Sequence, residues 1–156
     1  MRKEFKTALL IALAGFAWAV IEFITGLHSS RIELHSVITW FAMMPVLFIY
    51  IWHYRQTKKH SEGQLTFKKG FLSGMFVTGV AMPLSMIGFL LFYYLINPNF
   101  FTAFTNYSVE NKIMTTEEAS KYFNFNSYLV QIAIGILIIG LLLSLILSFI
   151  FKSKAK

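Results

Sequence analysis

Long uninterrupted runs of apolar residues dominate the hydrophobic pattern of this chain. The runs cover residues 8–27, 36–54, 71–96 and 128–151. A helix needs about 20 apolar residues to cross roughly 30 Å of hydrocarbon, so each run is long enough to span a bilayer. We therefore predict an all-α protein, an integral membrane four-helix bundle that forms a single transmembrane domain over residues 1–156.

Prolines predict departures from straight helices in the second and third spans. Proline removes an amide donor and crowds the preceding turn, so we expect bends at Pro45 and Pro83. Residues 71–96 would be about 39 Å long as a straight helix, which also favours a tilt or a bend. Pro98 is expected to end the third span, because the residue before a proline avoids helical angles.

The basic residues predict the orientation of the four spans. Most of the 14 Lys and Arg residues lie at the two termini and in the middle loop: Arg2, Lys3, Lys6, Arg55, Lys58, Lys59, Lys68, Lys69, Lys152, Lys154 and Lys156. The other loops hold only Arg31, Lys112 and Lys121. By the positive-inside rule, both termini and residues 55–69 face the cytoplasm (N-in/C-in).

Residues 97–127 form the outer loop in this topology and have room for structure outside the bilayer. Thr115-Thr116-Glu117-Glu118 fits a capping box, which predicts a short helix as far as about Phe123. We expect this helix to be amphipathic and to lie on the bundle or at the headgroup level before the last span.

Composition narrows the function classes. The chain is 56% hydrophobic, 13% charged and free of cysteine, which excludes disulfides, thiolate metal sites and thiol nucleophiles. The net charge of +7 comes from residues that flank apolar runs, so it favours anionic lipid headgroups over nucleic acid. The partners expected are membrane lipids, with either further copies of the chain or a larger membrane complex, and no nucleic acid.

The first apolar run also has features of a cleaved signal peptide. Arg2 and Lys3 make a basic start, and Ala17-Trp18-Ala19 fits the small-x-small cleavage pattern. Hydrophobicity nevertheless continues through Ile24, which favours an uncleaved span.

Small residues predict the faces through which the helices pack. Helices in lipid approach closely where side chains are small, and Gly70-x-x-x-Gly74 fits that rule. The last span carries a matching stripe of Gly140, Ser144 and Ser148. The first span has its own stripe at steps of three and four, in which Glu22 takes part. Glu22 should therefore point at other helices.

A candidate polar cluster lies around the first hairpin, at Glu22, His28, Glu33 and His35. The short connection must fold the first two spans antiparallel, so Glu22 and His35 can meet near the outer surface. One interpretation is a proton-linked or metal-binding pair. The interpretation we favour is a structural hydrogen bond between helices, with His28, Arg31 and Glu33 mostly in a solvated turn.

Other catalytic or ligand-binding signals are sparse. No HExxH motif or histidine pair at i, i+4 is present, so we predict no metal ligand and no cofactor. His53 and His60 are expected to be interface and loop residues at the cytoplasmic end. Gly70-Phe-Leu-Ser-Gly74 has its serine one place too late for a nucleophile elbow, so no catalytic residue is assigned and the chain is not expected to be an enzyme.

Several stretches together resemble a known family. These are Glu22-x-x-x-Gly26-Leu-His28, residues 63–70, residues 96–100, and Thr116-Glu-Glu-Ala119 with Tyr122-Phe-Asn124. Their order and spacing are similar to those of domain-of-unknown-function family 4199, and the similarity covers nearly the whole chain. The resemblance implies a four-helix integral protein of the inner membrane of Gram-negative bacteria, and it implies no activity.

Three functions remain open from the sequence. We expect an accessory or interaction subunit of the bacterial cytoplasmic membrane without catalytic chemistry of its own. The alternative is a small proton-coupled transporter that uses Glu22, because small multidrug resistance proteins also have four spans with an acidic residue in the first. Glu22 is near the outer end and the last two spans are far apart in sequence, and both features differ from that family. A membrane enzyme is the third alternative.

Overall fold

The computed structural model describes residues 3–153, and in this range every regular element is helical. The α-helices are α1 (Lys3–Ile24), α2 (His35–Ile38), α3 (Met43–His60), α4 (Phe67–Leu95), α5 (Phe100–Glu110), α6 (Thr116–Tyr122) and α7 (Phe125–Phe151). Short 3-10 turns at Ile32–Leu34 and Thr39–Ala42 flank α2. The predicted all-α class is confirmed.

Four helical segments are long and apolar enough to cross a membrane. They are Lys3–Ile24, Ile32–His60, Phe67–Leu95 and Phe125–Phe151. Each contains or largely overlaps one apolar run of the sequence, and together they indicate a multi-pass membrane protein. The helices extend past the apolar runs into basic residues at one end of the bundle. At α4, for example, the Thr66 side chain accepts a hydrogen bond from the Lys69 amide and so caps the helix.

The second span is one helical segment, Ile32–His60, that changes between 3-10 and α-helical geometry along its length. Its first part is a 3-10 turn, the short α2 and a second 3-10 turn at Thr39–Ala42; only from Met43 is it a long α-helix. Pro45 lies in the first turn of α3, where its missing N–H costs no helical hydrogen bond. The sequence predicts a bend at Pro45, and in the structure Pro45 lies at the start of an α-helix.

The third span follows the prediction more closely. Pro83 lies inside α4, which is helical from Phe67 to Leu95. The helix ends just before Asn97-Pro98, and the amides of Ile96 and Asn97 both bond back to the Phe92 carbonyl. The proline therefore terminates the helix as its effect on the preceding residue predicts.

The central helix α4 packs most extensively against α7 and α1 among the described helices. Gly70 and Gly74 face the last helix, where a Cβ would meet Ser148 at Gly70 and Ser144 at Gly74. Gly140 in turn faces Thr78, and a Cβ there would collide with the threonine side chain. Close backbone approach at small residues therefore holds α4 against α7.

The two ends of the bundle differ in structure. One end, here called the terminal end, contains the start of α1, the α3–α4 connection and the end of α7. Ser153 ties the residues after α7 to the α3–α4 connection, because its amide donates to the Leu65 carbonyl at 2.8 Å and its Oγ accepts from the Leu65 amide at 2.9 Å. The opposite end, here called the loop end, carries the turn after α1 and helices α5 and α6.

The long connection at the loop end contains two helices instead of the single one predicted. Helix α6 begins with the predicted capping box, in which Thr115 and Glu118 bond each other's backbone amides. Helix α5 was missed. It brings Phe100, Phe101 and Phe104 into an aromatic core beneath the loop end. Residues 97–127 are therefore largely structured and cover the bundle.

Candidate functional site

The turn after α1 brings His28 back over Glu22. The Gly26 amide bonds the Phe23 carbonyl at 3.1 Å, and the Leu27 amide bonds the Glu22 carbonyl at 2.9 Å. This pair of bonds is a Schellman motif, which needs a left-handed residue at the position of Gly26. Gly26 has φ +81°, and a Cβ there would meet Ser30 Oγ at 2.7 Å. Glycine at this position therefore folds the chain back sharply, with the buried Leu27 and His28 directly after it.

Glu22, His28 and His35 meet at the loop end and are here called the Glu22 cluster. Glu22 Oε2 lies 3.4 Å from His28 Nε2 and 3.7 Å from His35 Nε2. The ligand-type atoms of the three residues all lie within 4.8 Å of one another. The carboxylate and one imidazole are buried, since Glu22 is 5% and His28 4% exposed, and His35 is partly exposed.

The carboxylate of Glu22 is held on one side only. Trp18, one turn earlier in α1, donates its indole N–H to Glu22 Oε1 at 2.8 Å. The second oxygen, Oε2, faces the histidines, but the 3.4 Å approach of His28 is not a hydrogen bond, since His28 Nε2 is without a hydrogen-bond partner among residues 3–153. At 3.7 Å His35 is too far for one. The three side chains thus lie close together without forming hydrogen bonds to one another.

Helix α5 encloses the Glu22 cluster in aromatic rings. The His28 ring packs edge-on against Phe92 of α4, and against Phe100 and Phe104 of α5 at centroid distances of 5.0 and 5.9 Å. His35 packs against Phe104 at 4.7 Å. The buried Asn97 reaches the other ring nitrogen of His28, with Asn97 Nδ2 3.4 Å from His28 Nδ1. Polar and aromatic neighbours therefore fix the orientation of both rings.

One expectation for this region needs correction. His28 was assigned to a solvated turn, but it is buried because α5 covers it. Glu33, a member of the candidate cluster that was also expected mostly in the solvated turn, is exposed and lies outside the group formed by Glu22, His28 and His35. Trp18 was missed, although its i, i+4 spacing to Glu22 is a signal that the sequence contains.

A second buried polar group lies at the terminal end and is here called the His53 network. His53 is 1% exposed, so its assignment to an interface is wrong. Its Nδ1 lies 3.0 Å from Thr7 Oγ1 and its Nε2 2.9 Å from Ser73 Oγ, which itself donates to Glu4 at 3.1 Å. His60 is exposed, as expected of a loop residue. The network joins α1, α3 and α4 by hydrogen bonds.

Tyr54 supplies a further polar contact inside the terminal end. Its hydroxyl lies 3.0 Å from the Gly70 carbonyl, 3.2 Å from the Ser144 carbonyl and 3.0 Å from Ser148 Oγ. These partners are on α4 and α7, at the small residues where the two helices approach most closely. The Tyr54 hydroxyl thus links α3 to α4 and α7 by hydrogen bonding at the point where small residues leave the backbone carbonyls accessible.

Cavities of about 430 and 580 Å³ border the His53 network, and three others bear on the function of the bundle. One of about 370 Å³ lies at the loop end and is lined by His35, α5 and α6 residues. A central one of about 240 Å³ lies between α1, α3, α4 and α7. A groove of about 530 Å³ runs between α3 and α7 and is lined mostly by apolar side chains.

The chemistry available to the Glu22 cluster follows from its donor set. A carboxylate and two imidazoles can bind a divalent cation or share a proton. Among the described residues, the group that could hold a metal ion consists of Glu22, His28 and His35. They come from α1, the following turn and α2, so no local sequence motif contains them.

Comparison with known proteins gives one match. The family model DUF4199, described as a protein of unknown function, matches residues 6–153, nearly the whole chain. The family expected from the sequence is therefore confirmed. Neither the curated proteins nor the solved structures give a match.

Proposed function

Since this chain belongs to DUF4199, a family of proteins of unknown function, we propose its role from its own structure. The protein is a multi-pass component of the bacterial cytoplasmic membrane, with both termini in the cytoplasm. It acts as an accessory or interaction subunit and carries no catalytic chemistry of its own. The observation that carries this proposal is the open apolar groove between α3 and α7.

The groove lies along the least buried of the four spans. We compare the share of buried residues in the most apolar stretch of each span. This share is 6% in the second span, 28% in α1 and 22% in both α4 and α7. Ala42 and Gly135 lie along the groove, between larger apolar side chains. Small residues let a further helix approach closely, which is the main source of helix association in lipid. A transmembrane helix of a partner protein therefore fits this face.

The interior of the bundle argues against the transporter. The Glu22 cluster and the His53 network are separated by the central cavity, whose lining includes Ile11, Ala12, Val46, Ile132 and Ile136. Its polar side chains are Ser85 and Tyr128. Cavities with apolar walls stay dry, so this layer offers poor support for a proton or cation path between the two polar groups.

Orientation and location rest on charge. The terminal end carries the basic residues at the start of α1, the α3–α4 connection and the end of α7. The loop end carries Arg31, Lys112 and Lys121. The positive-inside rule then places the terminal end in the cytoplasm and the Glu22 cluster at the outer surface.

The interaction role is tested by photo-crosslinking in intact cells. A photoreactive amino acid replaces Gly135 in the groove or, as a matched control, Gly79 on the exposed face of α4. An added Cβ meets nothing within 4 Å at either glycine in the described chain, so both replacements fit the fold. We expect a discrete protein adduct from position 135 and none from position 79. The same adduct pattern at both positions, or lipid adducts alone at 135, contradicts the proposal.

The transporter is the second candidate, and the burial of Glu22 beside two histidines is the observation that favours it. Its test is pH-driven flux in proteoliposomes, comparing the wild type with Glu22→Gln. A flux that requires the carboxylate, in a variant with an unchanged melting temperature, would replace the subunit with a proton-coupled carrier. We expect no flux that depends on Glu22.

A further inference from the structure

We propose that Glu22, His28 and His35 form a binding site for a divalent transition-metal cation, with zinc as the best fit. The proposal goes beyond the interaction role, because it assigns a ligand to the loop end of the bundle. It rests on the positions of three donor atoms and on the unpartnered nitrogen of His28.

The spacing of the donor atoms fits a shared ion. Zinc binds histidine nitrogen and carboxylate oxygen at about 2.0–2.2 Å, so neighbouring ligands of a tetrahedral site lie roughly 3.3–3.6 Å apart. Glu22 Oε2 lies 3.4 Å from His28 Nε2 and 3.7 Å from His35 Nε2. The three donors lie within 4.8 Å of one another, so a movement of about 1 Å by one ring completes the site.

The bonding state of His28 points to a ligand. Its Nε2 is buried, and no described residue forms a hydrogen bond with it. A buried polar atom without a partner costs about 1–3 kcal/mol, so such atoms normally have a function or a bound group. Although a carboxylate oxygen lies 3.4 Å away, the ring does not hydrogen-bond to it. The same 3.4 Å separation suits two ligands of one ion.

Neighbouring residues hold the ligands as the outer partners of metal sites do. Ligating histidines usually engage their second ring nitrogen, and ligating carboxylates are themselves hydrogen-bonded. Trp18 donates to Glu22 Oε1. Asn97 Nδ2 lies 3.4 Å from His28 Nδ1, and a half-turn of the Asn97 amide puts its oxygen there to accept the Nδ1–H that a ligating histidine donates. These contacts leave His28 Nε2 and Glu22 Oε2 for the ion.

The charge of the Glu22 cluster and its access from the loop-end cavity also suit a metal ion. A divalent cation would neutralise the buried Glu22 carboxylate more fully than the two imidazoles at 3.4 and 3.7 Å. His35 is partly exposed and lines the cavity of about 370 Å³ at the loop end. An ion can therefore reach the site through this cavity, and a water molecule there can complete four-coordination.

Zinc fits the donor set better than calcium or magnesium. Imidazole is a ligand for zinc, copper, iron and nickel, whereas calcium and magnesium prefer oxygen. Two histidines and one glutamate with an open fourth position also match a known type of zinc coordination. The test therefore uses zinc and cobalt as probes.

The experiment measures metal binding by the full-length chain in mild detergent, after removal of any histidine tag and treatment with a chelator. Titration calorimetry and elemental analysis give the affinity and the stoichiometry for zinc alone. Glu22→Gln and His35→Gln each remove one proposed ligand. Trp18→Phe removes a hydrogen bond to the Glu22 carboxylate. Glu33→Gln and His60→Gln change exposed residues and serve as matched controls. Circular dichroism and gel filtration check that each variant is folded.

We expect about one zinc per chain in the wild type and in both controls. Loss of an outer contact typically weakens metal binding about 10- to 100-fold, so Trp18→Phe should fall in that range and the ligand variants should lose more. Wild-type protein that binds no stoichiometric zinc, or folded ligand variants that bind it as well as Glu33→Gln, overturns the site. If the ligand variants do not fold, cobalt bound to the wild type decides, because tetrahedral cobalt gives intense visible bands. Their absence at one equivalent rejects the proposal.

Discussion

At the scale of single residues, Glu22 illustrates what a sequence can and cannot reveal about a polar site. Its place on an inward face follows from the spacing of small residues in α1, and the short hairpin predicts its approach to His35. The burial of His28 does not follow from either pattern. It depends on the left-handed Gly26 and on Phe100 and Phe104, which arrive from α5 far along the chain.

The first prediction concerns the hydrogen-bonding role of Glu22 in chelator-treated protein. Glu22→Gln should leave the stability close to that of the wild type, because an amide oxygen still accepts from Trp18. Glu22→Leu should lower the free energy of unfolding by about 1–3 kcal/mol, because it leaves the partly buried Trp18 indole N–H without an acceptor. Reversible unfolding in mixed detergent micelles measures both variants. Glu33→Leu, at an exposed position, is the control and should change stability by less than about 0.5 kcal/mol. Equal stabilities for Gln and Leu at position 22 would contradict this role.

At the scale of elements, hydropathy predicts the four spans but not their internal structure. The 3-10 turn at Thr39–Ala42 is invisible to a hydropathy pattern, because the same apolar residues suit either kind of helix. Helix α5 was missed because it lies in a loop whose single proline and several asparagines indicate irregular structure. Its burial is a tertiary effect, since its phenylalanines complete an aromatic core formed by distant segments. The capping box of α6 was found because its signal is local.

The second prediction concerns the packing of α4 against α7. Gly74→Ile should lower the free energy of unfolding by at least about 1–3 kcal/mol, because the new side chain collides with Ser144 and Tyr54. Gly79→Ile lies on the same helix with open space around its Cβ and should be tolerated. Detergent unfolding and gel filtration compare the pair. If Gly74→Ile is as stable and as homogeneous as Gly79→Ile, the small-residue contact does not hold these helices together.

The third prediction concerns the cap of α6. The Thr115 backbone amide and hydroxyl donate to Glu118, which lowers the pKa of this carboxyl below its usual value. Because the folded pKa is depressed, the cap contributes stability above the unfolded pKa of about 4.3 and loses it as the pH falls through the folded value. The chemical shift of the Thr115 amide, followed by NMR, should therefore titrate below the usual range of a glutamate. In Glu118→Gln this titration should vanish, whereas Glu117→Gln should preserve it. A normal glutamate titration at Thr115 would show that the cap does not form in solution.

At the scale of the whole molecule, the bundle has two chemically different ends. The terminal end collects basic residues and the His53 network, and the loop end holds the Glu22 cluster under α5 and α6. The sequence predicts this polarity through its charge pattern. It does not predict that each end contains a buried polar group, because His53 and His28 become buried only when three or more segments pack together. The apolar layer between the ends counts against the transporter alternative and is consistent with the proposed interaction role.

The last prediction is the orientation of the two ends in the membrane. The positive-inside rule places residues 55–69 in the cytoplasm and the turn after α1 and helix α5 outside. The chain contains no cysteine, so single cysteines can be introduced without removing native ones. Ser30 and Asn106 at the loop end and Gln64 in the α3–α4 connection are exposed and suit this purpose. An impermeant thiol reagent added to intact cells with a permeabilised outer membrane should label cysteines at positions 30 and 106 and spare the one at position 64. Lysed cells provide the control, because there all three should react. Labelling of position 64 alone in intact cells would show the opposite topology, with the Glu22 cluster on the cytoplasmic side. The proposed metal ion would then have to come from the cell interior.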